Sequence, residues 1–369
     1  MSLLAALALL LCAPAWSQGV TAHTIVLGQS APLSGPRQSA GERIRDGALA
    51  YLRRLNDAGG VHGRRIELAT FDDGGDPARA LANTRRLIEE FGVFALFGYP
   101  EADLTRDVLE RVRRSGITLF GAECGDPAAH APGWPVYTVC ADRAQELERL
   151  VADYANLGQR RFALVRSDDA GGAALAATTR GALSAQGLGE LRDAPYAAGA
   201  SEVLARVLKA PAPDVILVAL PQPPAAVVLR ALHRSGSRAQ LIATSLADAR
   251  ATARELGRDG AGIALSQTVP PLSQISLPVV SDYLAAYRVE TGTEEYSPAS
   301  LASFIAAKVL VEAMRRAGPT PTREGLAQAL SGMGAYDAGG YVVHFSRTAR
   351  EGSTRIYLQS IDREGGLLH

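Results

Sequence analysis

The sequence predicts an α/β fold of doubly wound parallel sheets, divided between two lobes. Three observations predict it. Short apolar runs stand along the chain as continuous blocks, the pattern of strands covered on both faces. Amphipathic helical segments separate them. The β–α alternation breaks once, near 132–142, and then starts again. Right-handed crossovers are expected to join the parallel neighbours.

The elements follow in order. Ile25-Val26-Leu27 is the first apolar run, then Val93 to Phe97 and Ile117 to Phe120. Asp76-Pro77 sets an N-cap before a proline at the first helical position, a helix start. Leu104, Val108, Leu109 and Val112 recur at helical spacing. Pro132-Gly133-Trp134-Pro135 interrupts the series and leads into a short strand, Val136 to Val139. A new helix opens at Asp142, and its Leu147, Leu150, Val151, Tyr154 and Leu157 share one face. Phe162 to Val165 and Val215 to Leu220 mark strands of the second series, which runs to about residue 266. Pro270-Pro271 and Pro278 signal a loop before helices over 279–290, 298–316 and 322–331. Strand-like stretches Tyr341 to Phe345 and Arg355 to Ile361 close the chain. No solenoid-period repeat and no low-complexity linker interrupts it.

Composition narrows the function. The 369 residues carry 38 Lys and Arg against 38 Asp and Glu, so neither nucleic acid nor an anionic membrane surface is indicated. Leu3 to Leu11 is an apolar run too short to span a bilayer as a helix. Followed by Ala15-Trp16-Ser17, it reads as a secretory leader of residues 1–17 cleaved before Gln18, although no Lys or Arg precedes it. Leu11 is too large for the position before a lipidated cysteine, so Cys12 is not expected to carry a lipid. No later segment reaches spanning length. Cys124 and Cys140 then remain, and in an exported chain they form either a disulfide or two separate buried thiols. A bridge over so short a loop would contribute about 3 kcal/mol.

Enzymatic motifs are missing. There is no phosphate-cradling Gly-x-x-x-x-Gly-Lys-Ser/Thr, no Gly-x-Gly-x-x-Gly, no Gly-x-Ser-x-Gly and no His-Glu-x-x-His. The histidines are scattered. Asp72, Asp73 and Asp76 imitate a metal cluster, but Asp76 reads as a helix cap and a hard cation needs more oxygens. No cofactor and no metal is expected.

One stretch is more specific. Asn56-Asp57-Ala58-Gly59-Gly60-Val61-His62-Gly63-Arg64-Arg65-Ile66-Glu67-Leu68 is a helix end, a glycine turn and a strand; Phe71-Asp72-Asp73 and Asp76-Pro77 follow. This resembles the helix–turn–strand signature of the type I periplasmic binding proteins of the branched-chain amino acid (leucine/isoleucine/valine) family of ABC importers. Gly28 to Gly35, Phe97-Gly98 and Gly262 to Pro270 are similar to other parts of that family, and the resemblance runs from about Ile25 to Ile361. It implies two α/β lobes joined by three crossing strands, roughly 21–140 with 267–333 and 141–266 with 334–369. A small-molecule ligand would bind between the lobes, closure would follow by hinge motion, and the closed form would dock on ABC permease subunits in the periplasm. A monomer is the expected state.

In open parallel sheets ligands sit beyond the carboxyl ends of the strands. That rule selects Ser30 to Arg37, Tyr99 to Thr105, Gly121 to Asp126, Ser167 to Gly172, Leu220 to Gln222 and Ser245 to Asp248. The candidate contacts are Ser30, Ser34, Tyr99, Glu101, Asp103, Glu123, Asp126, Asp169, Leu220 and Ser245. Ser30 and Ser34 also read as N-caps or turn residues. The family's carboxylate-holding hydroxyls are replaced here by acids and apolar groups, Gly171 follows Asp169-Ala170 where a tyrosine is common, and Ser245 stands at the place of an ammonium-holding acid. A leucine, isoleucine or valine ligand is therefore not implied. Glu101, Asp103, Glu123 and Asp126 either favour a cationic or polyhydroxylated ligand or are solvated loop and capping acids. Beside delivery of an amino acid or related compound to an importer stand two other readings: a receptor module for a signalling partner, and a binder whose ligand site has degenerated.

Overall fold

The computed structural model describes residues 18–100, 104–125, 134–209 and 211–368. The leader, Glu101, Asp103 and Asp126 lie outside the described residues. Strand β1 (Thr24–Ala31) is buried almost throughout, as its uninterrupted apolar run requires. Then come α1 (Gln38–Asp57), β2 (Arg65–Asp72), α2 (Pro77–Glu89), β3 (Ala95–Phe97), α3 (Arg106–Ser115), β4 (Leu119–Phe120) and β5 (Val136–Tyr137). These strands form a parallel sheet in the order β2-β1-β3-β4-β5. Asp76 caps α2 by accepting from the Ala78 N–H at 2.8 Å, with Pro77 at the first helical position.

The second series is α4 (Arg143–Asn156), β6 (Phe162–Ser167), α5 (Ala170–Ala185), β7 (Arg192–Tyr196), α6 (Ser201–Val207), β8 (Val215–Ala219), α7 (Pro224–Arg234), β9 (Gln240–Ala243), α8 (Ala249–Leu256) and β10 (Ala264–Gln267). After it the chain makes α9 (Pro278–Thr291), α10 (Pro298–Arg316), α11 (Arg323–Ser331), β11 (Gly334–Asp337), β12 (Val342–Phe345), β13 (Tyr357–Ile361) and β14 (Leu367–Leu368). The second sheet runs β14-β13-β10-β9-β8-β6-β7, parallel from β10 to β7 and antiparallel at β13 and β14.

Each sheet is covered on both faces, so the fold is the two-lobed, doubly wound α/β architecture. Over the first sheet, Leu87, Val108 and Val112 of α2 and α3 build one core, and Leu52, Tyr283 and Phe304 of α1, α9 and α10 build the other. Over the second, Leu147, Leu150 and Val151 of α4 pack on one face and Val228 and Leu256 of α7 and α8 on the other. Helices α1 and α10 touch at Gly47, where a Cβ would lie 2.1 Å from the Ser300 carbonyl oxygen. Only glycine permits that approach.

One part of the expected division differs. The resemblance implies that residues 334–369 go with the second lobe, whereas Tyr341, Val343 and Phe345 pack in the core of the first and β13 and β14 extend the second sheet. The β11–β12 ribbon turns the inward side chains of β12 onto that first core. The chain passes between the sheets near Val139–Ala141, near Thr268–Val269 and again between β12 and β13. Tyr341 ties two of these crossings: its hydroxyl donates to the Val139 carbonyl at 2.8 Å and lies 3.3 Å from that of Thr268.

Candidate functional site

The strand-end loops of the two sheets face each other across a cavity of about 320 Å³. Its first-lobe wall is made by Arg43 on α1, Glu123 and Cys124 after β4, and the small-residue face Ala299, Ala302 and Ala306 of α10. Opposite stand Pro221 and Gln222 after β8 and Ser245 to Asp248 after β9. Val139, Cys140, Thr268 and Val269 of the crossing segments floor the cavity. Cys124 and Cys140 are disulfide-bonded, with Cα atoms 5.9 Å apart, so the bridge fastens the loop after β4 to the first crossing.

Local bonding decides which polar groups a guest can meet. Ser303 donates its hydroxyl to the Ile44 carbonyl at 2.6 Å, and Gln267 is paired with Gln359. Gln222 is held by Glu255 and accepts from Thr252. Ser245 is different. Its N–H and its hydroxyl both donate to the carboxylate of Glu146, at 2.8 and 2.6 Å. Glu146 is fully buried in the first turn of α4, and that burial pushes its carboxyl above the usual carboxylate range, opposed by the Ser245 bonds. While the Glu146 carboxylate accepts its proton, the Ser245 oxygen has lone pairs left for the cavity, and toward a guest it is then an acceptor.

The charges point the same way. Glu123 and Asp248 line the cavity with Arg43. Arg43 spans it, with Nη1 3.6 Å from Asp248 Oδ2, while Asp248 also caps α8 through the Ala251 N–H at 2.8 Å. The lining therefore sets two carboxylates, Glu123 and Asp248, beside one guanidinium, Arg43. An acceptor hydroxyl and an excess of carboxylate suit a donor-bearing, positively charged group. The alanine face and Val269 suit a small apolar body.

Of the sequence-derived candidates that are described, Glu123 and Ser245 line this cavity; the rest do not. Ser30 is fully buried, donates to Asp73 at 2.7 Å and accepts from Asn83. Ser34 is exposed and donates to Asp72 at 2.7 Å, holding the Asp72 carboxyl below its ordinary range. Tyr99 is fully buried in the core beneath α2 and α3, with its hydroxyl 3.1 Å from that of Thr84. Asp169 caps α5 through the Gly172 N–H, which with Ser167 keeps its carboxyl low. Leu220 is core. Sequence reasoning missed Arg43, Glu146 and the face of α10. The spacing of Ala299, Ala302 and Ala306 on one side of an otherwise bulky helix was the available signal for α10. Among the described residues no group of three or more His, Cys, Asp or Glu side chains could hold a metal ion, and no helix is long and apolar enough to cross a membrane.

Comparison with known proteins agrees with this architecture. Residues 24–366 match the model of the family described as periplasmic binding protein. The chain is 25% identical over 188 residues to the Leu/Ile/Val-binding protein homolog 3 of Brucella melitensis, covering 50% of each. It spans about half the length of the curated relatives it matches. Among solved structures, an extracellular ligand-binding receptor from Verminephrobacter eiseniae superposes with a TM-score of 0.83 at 25% identity, covering 94% of this chain and 100% of that one. A substrate-binding periplasmic protein from Ralstonia solanacearum gives 0.79 at 27% identity, covering 93% and 99%.

Proposed function

The chain belongs to the periplasmic binding protein family, and from that premise we propose that it is an extracytoplasmic solute-binding protein that hands a small amine-bearing solute, an amino acid or a related compound, to an ABC importer. The lobes close over the solute by bending at the crossing segments, and the closed form is what the permease subunits receive. The protein acts by binding alone, without chemistry on its guest. Residues 1–17 direct its export. The lobes comprise 21–140 with 267–345, and 141–266 with the strands after 345.

The observation that carries this reading is the commitment of Ser245 to Glu146 in a cleft walled by both lobes. In this reading Ser245 accepts from the ammonium group, Glu123 and Asp248 supply its negative surroundings, and the alanines of α10 cover the apolar body. Arg43, already drawn to Asp248, is the group nearest to hand for a solute carboxylate.

A thermal-shift screen of the leaderless protein over amino acids, their deaminated acids, amides and polyamines tests it. A ligand present at a hundredfold excess over its Kd stabilises by about 2.7 kcal/mol. Compounds with a protonated amine are expected to raise the melting temperature, and Ser245→Ala to remove most of that rise. Stabilisation by deaminated acids alone would overturn the proposal.

A further inference from the structure

Residues of both lobes line a second, open pocket of about 550 Å³, which shares Pro298 and Gln267 with the cleft but faces different chemistry. On one side stand Arg250 and Arg254, one helical turn apart on α8 and both exposed. Neither makes an ion pair among the described residues, and no acidic side chain lines the cavity. Like charges at this spacing repel each other, so the pair is relieved by an anion placed between them. Guanidinium groups match a carboxylate in a planar, two-bonded fork. Across from them Leu272, Leu284 and Tyr296 of the first lobe, with Leu367 at the end of the second sheet, present a half-buried apolar surface. The paired amides of Gln267 and Gln359 lie at its base.

A cationic fork facing an apolar wall is amphiphilic, and the volume is within the range of small-molecule sites. We propose that this cavity is a second binding site, for an aliphatic monocarboxylate whose head lies on Arg250 and Arg254 and whose chain lies on Leu272, Leu284, Tyr296 and Leu367. Its preference is opposite in sign to that of the cleft. Because both lobes supply walls, a guest here also favours the arrangement in which those walls face each other. The site stands on its own residues and does not depend on what the cleft binds.

Calorimetric titration of the leaderless protein with sodium hexanoate tests it, with 1-hexanol and inorganic phosphate as the chain-only and charge-only probes. Hexanoate is expected to bind at least tenfold more tightly than either. The double variant Arg250→Gln, Arg254→Gln, which alters only exposed helix positions, is expected to lose at least tenfold in hexanoate affinity. Ser245→Ala is expected to leave that affinity unchanged. The proposal fails if hexanoate does not bind, if phosphate binds as well, or if the arginine variant binds it undiminished. It also fails if Ser245→Ala abolishes binding, since the guest would then sit in the cleft. Loss of the amine response in the screen above would leave these outcomes untouched.

Discussion

At the end of β1 and at the end of β9 the chain uses the same device with opposite electrostatic results. Asp72 accepts the Ser34 hydroxyl and the Leu33 N–H; Glu146 accepts the Ser245 hydroxyl and the Ser245 N–H. In each case a carboxylate gathers a serine and a backbone donor of a strand-end loop. Asp72 is partly open to water, and hydrogen bonding wins, so its carboxyl is lowered. Glu146 is sealed, and desolvation wins, so its carboxyl is raised. The difference extends to availability. Ser34 is spent on shaping its own turn outside the cavity wall, whereas Ser245, anchored from behind, keeps its outer face for a guest.

The largest effect should come from removing the sealed acid. Glu146→Ala takes the partner from the Ser245 N–H and hydroxyl and leaves a void at a fully buried position, and is expected to cost about 3 kcal/mol, measured by urea unfolding. Asp72→Ala frees donors that water can reach and is expected to cost about 1 kcal/mol. Equal losses would break the comparison. Next is the bridge that ties the first-lobe wall: Cys124→Ser with Cys140→Ser is expected to lower stability by about 3 kcal/mol, and reductant should lower the melting point of the parent but not of the variant. A smaller effect separates the two acids by pH. A carboxyl raised on folding holds its proton more tightly in the folded chain. The stability from Glu146 is therefore fully present below about pH 4.5 and is lost as pH rises through the folded value. For Asp72, lowered on folding, stability is present above about pH 3.8 and is lost as pH falls. Unfolding curves of Glu146→Gln and Asp72→Asn across this range should each lose a slope, of opposite sign; slopes of one sign would refute the assignment. The smallest effect is at the cross-cavity pair. Arg43→Ala is expected to change stability by only about 0.5 kcal/mol, and the difference should vanish at high salt.

How far the sequence reached depended on what each residue faces. The strands with unbroken apolar runs, such as β6 and β8, were legible because both their faces are covered. β7 was not: Arg192-Asp193-Ala194-Pro195-Tyr196 is a polar edge strand that pairs with β6 alone, where a proline is tolerated and the Asp193 charge is met by Arg166 at 2.8 Å. β11, Gly-Ala-Tyr-Asp, has no apolar run, and β14 is two leucines, too short to announce itself. For the site, the strand-end rule found Ser245 and Glu123 but gave no direction to a side chain. Tyr99 stands at a strand end and points into the α2–α3 core. Glu146 was illegible because it meets Ser245 only through the fold, across a separation of 99 residues.

The join between α1 and α10 bears on how the polypeptide can be assembled. The glycine at 47 is seated on the carbonyl at 300, and the same core takes in Ile25 and Phe345. That half of the molecule therefore stays unfinished until nearly the whole chain is available. By contrast, β6 to β9 and their intervening helices are contiguous in sequence and can associate early. Folding should accordingly begin in the middle of the chain, with the two ends recruited last and the N-terminal segment waiting on the one made long after it.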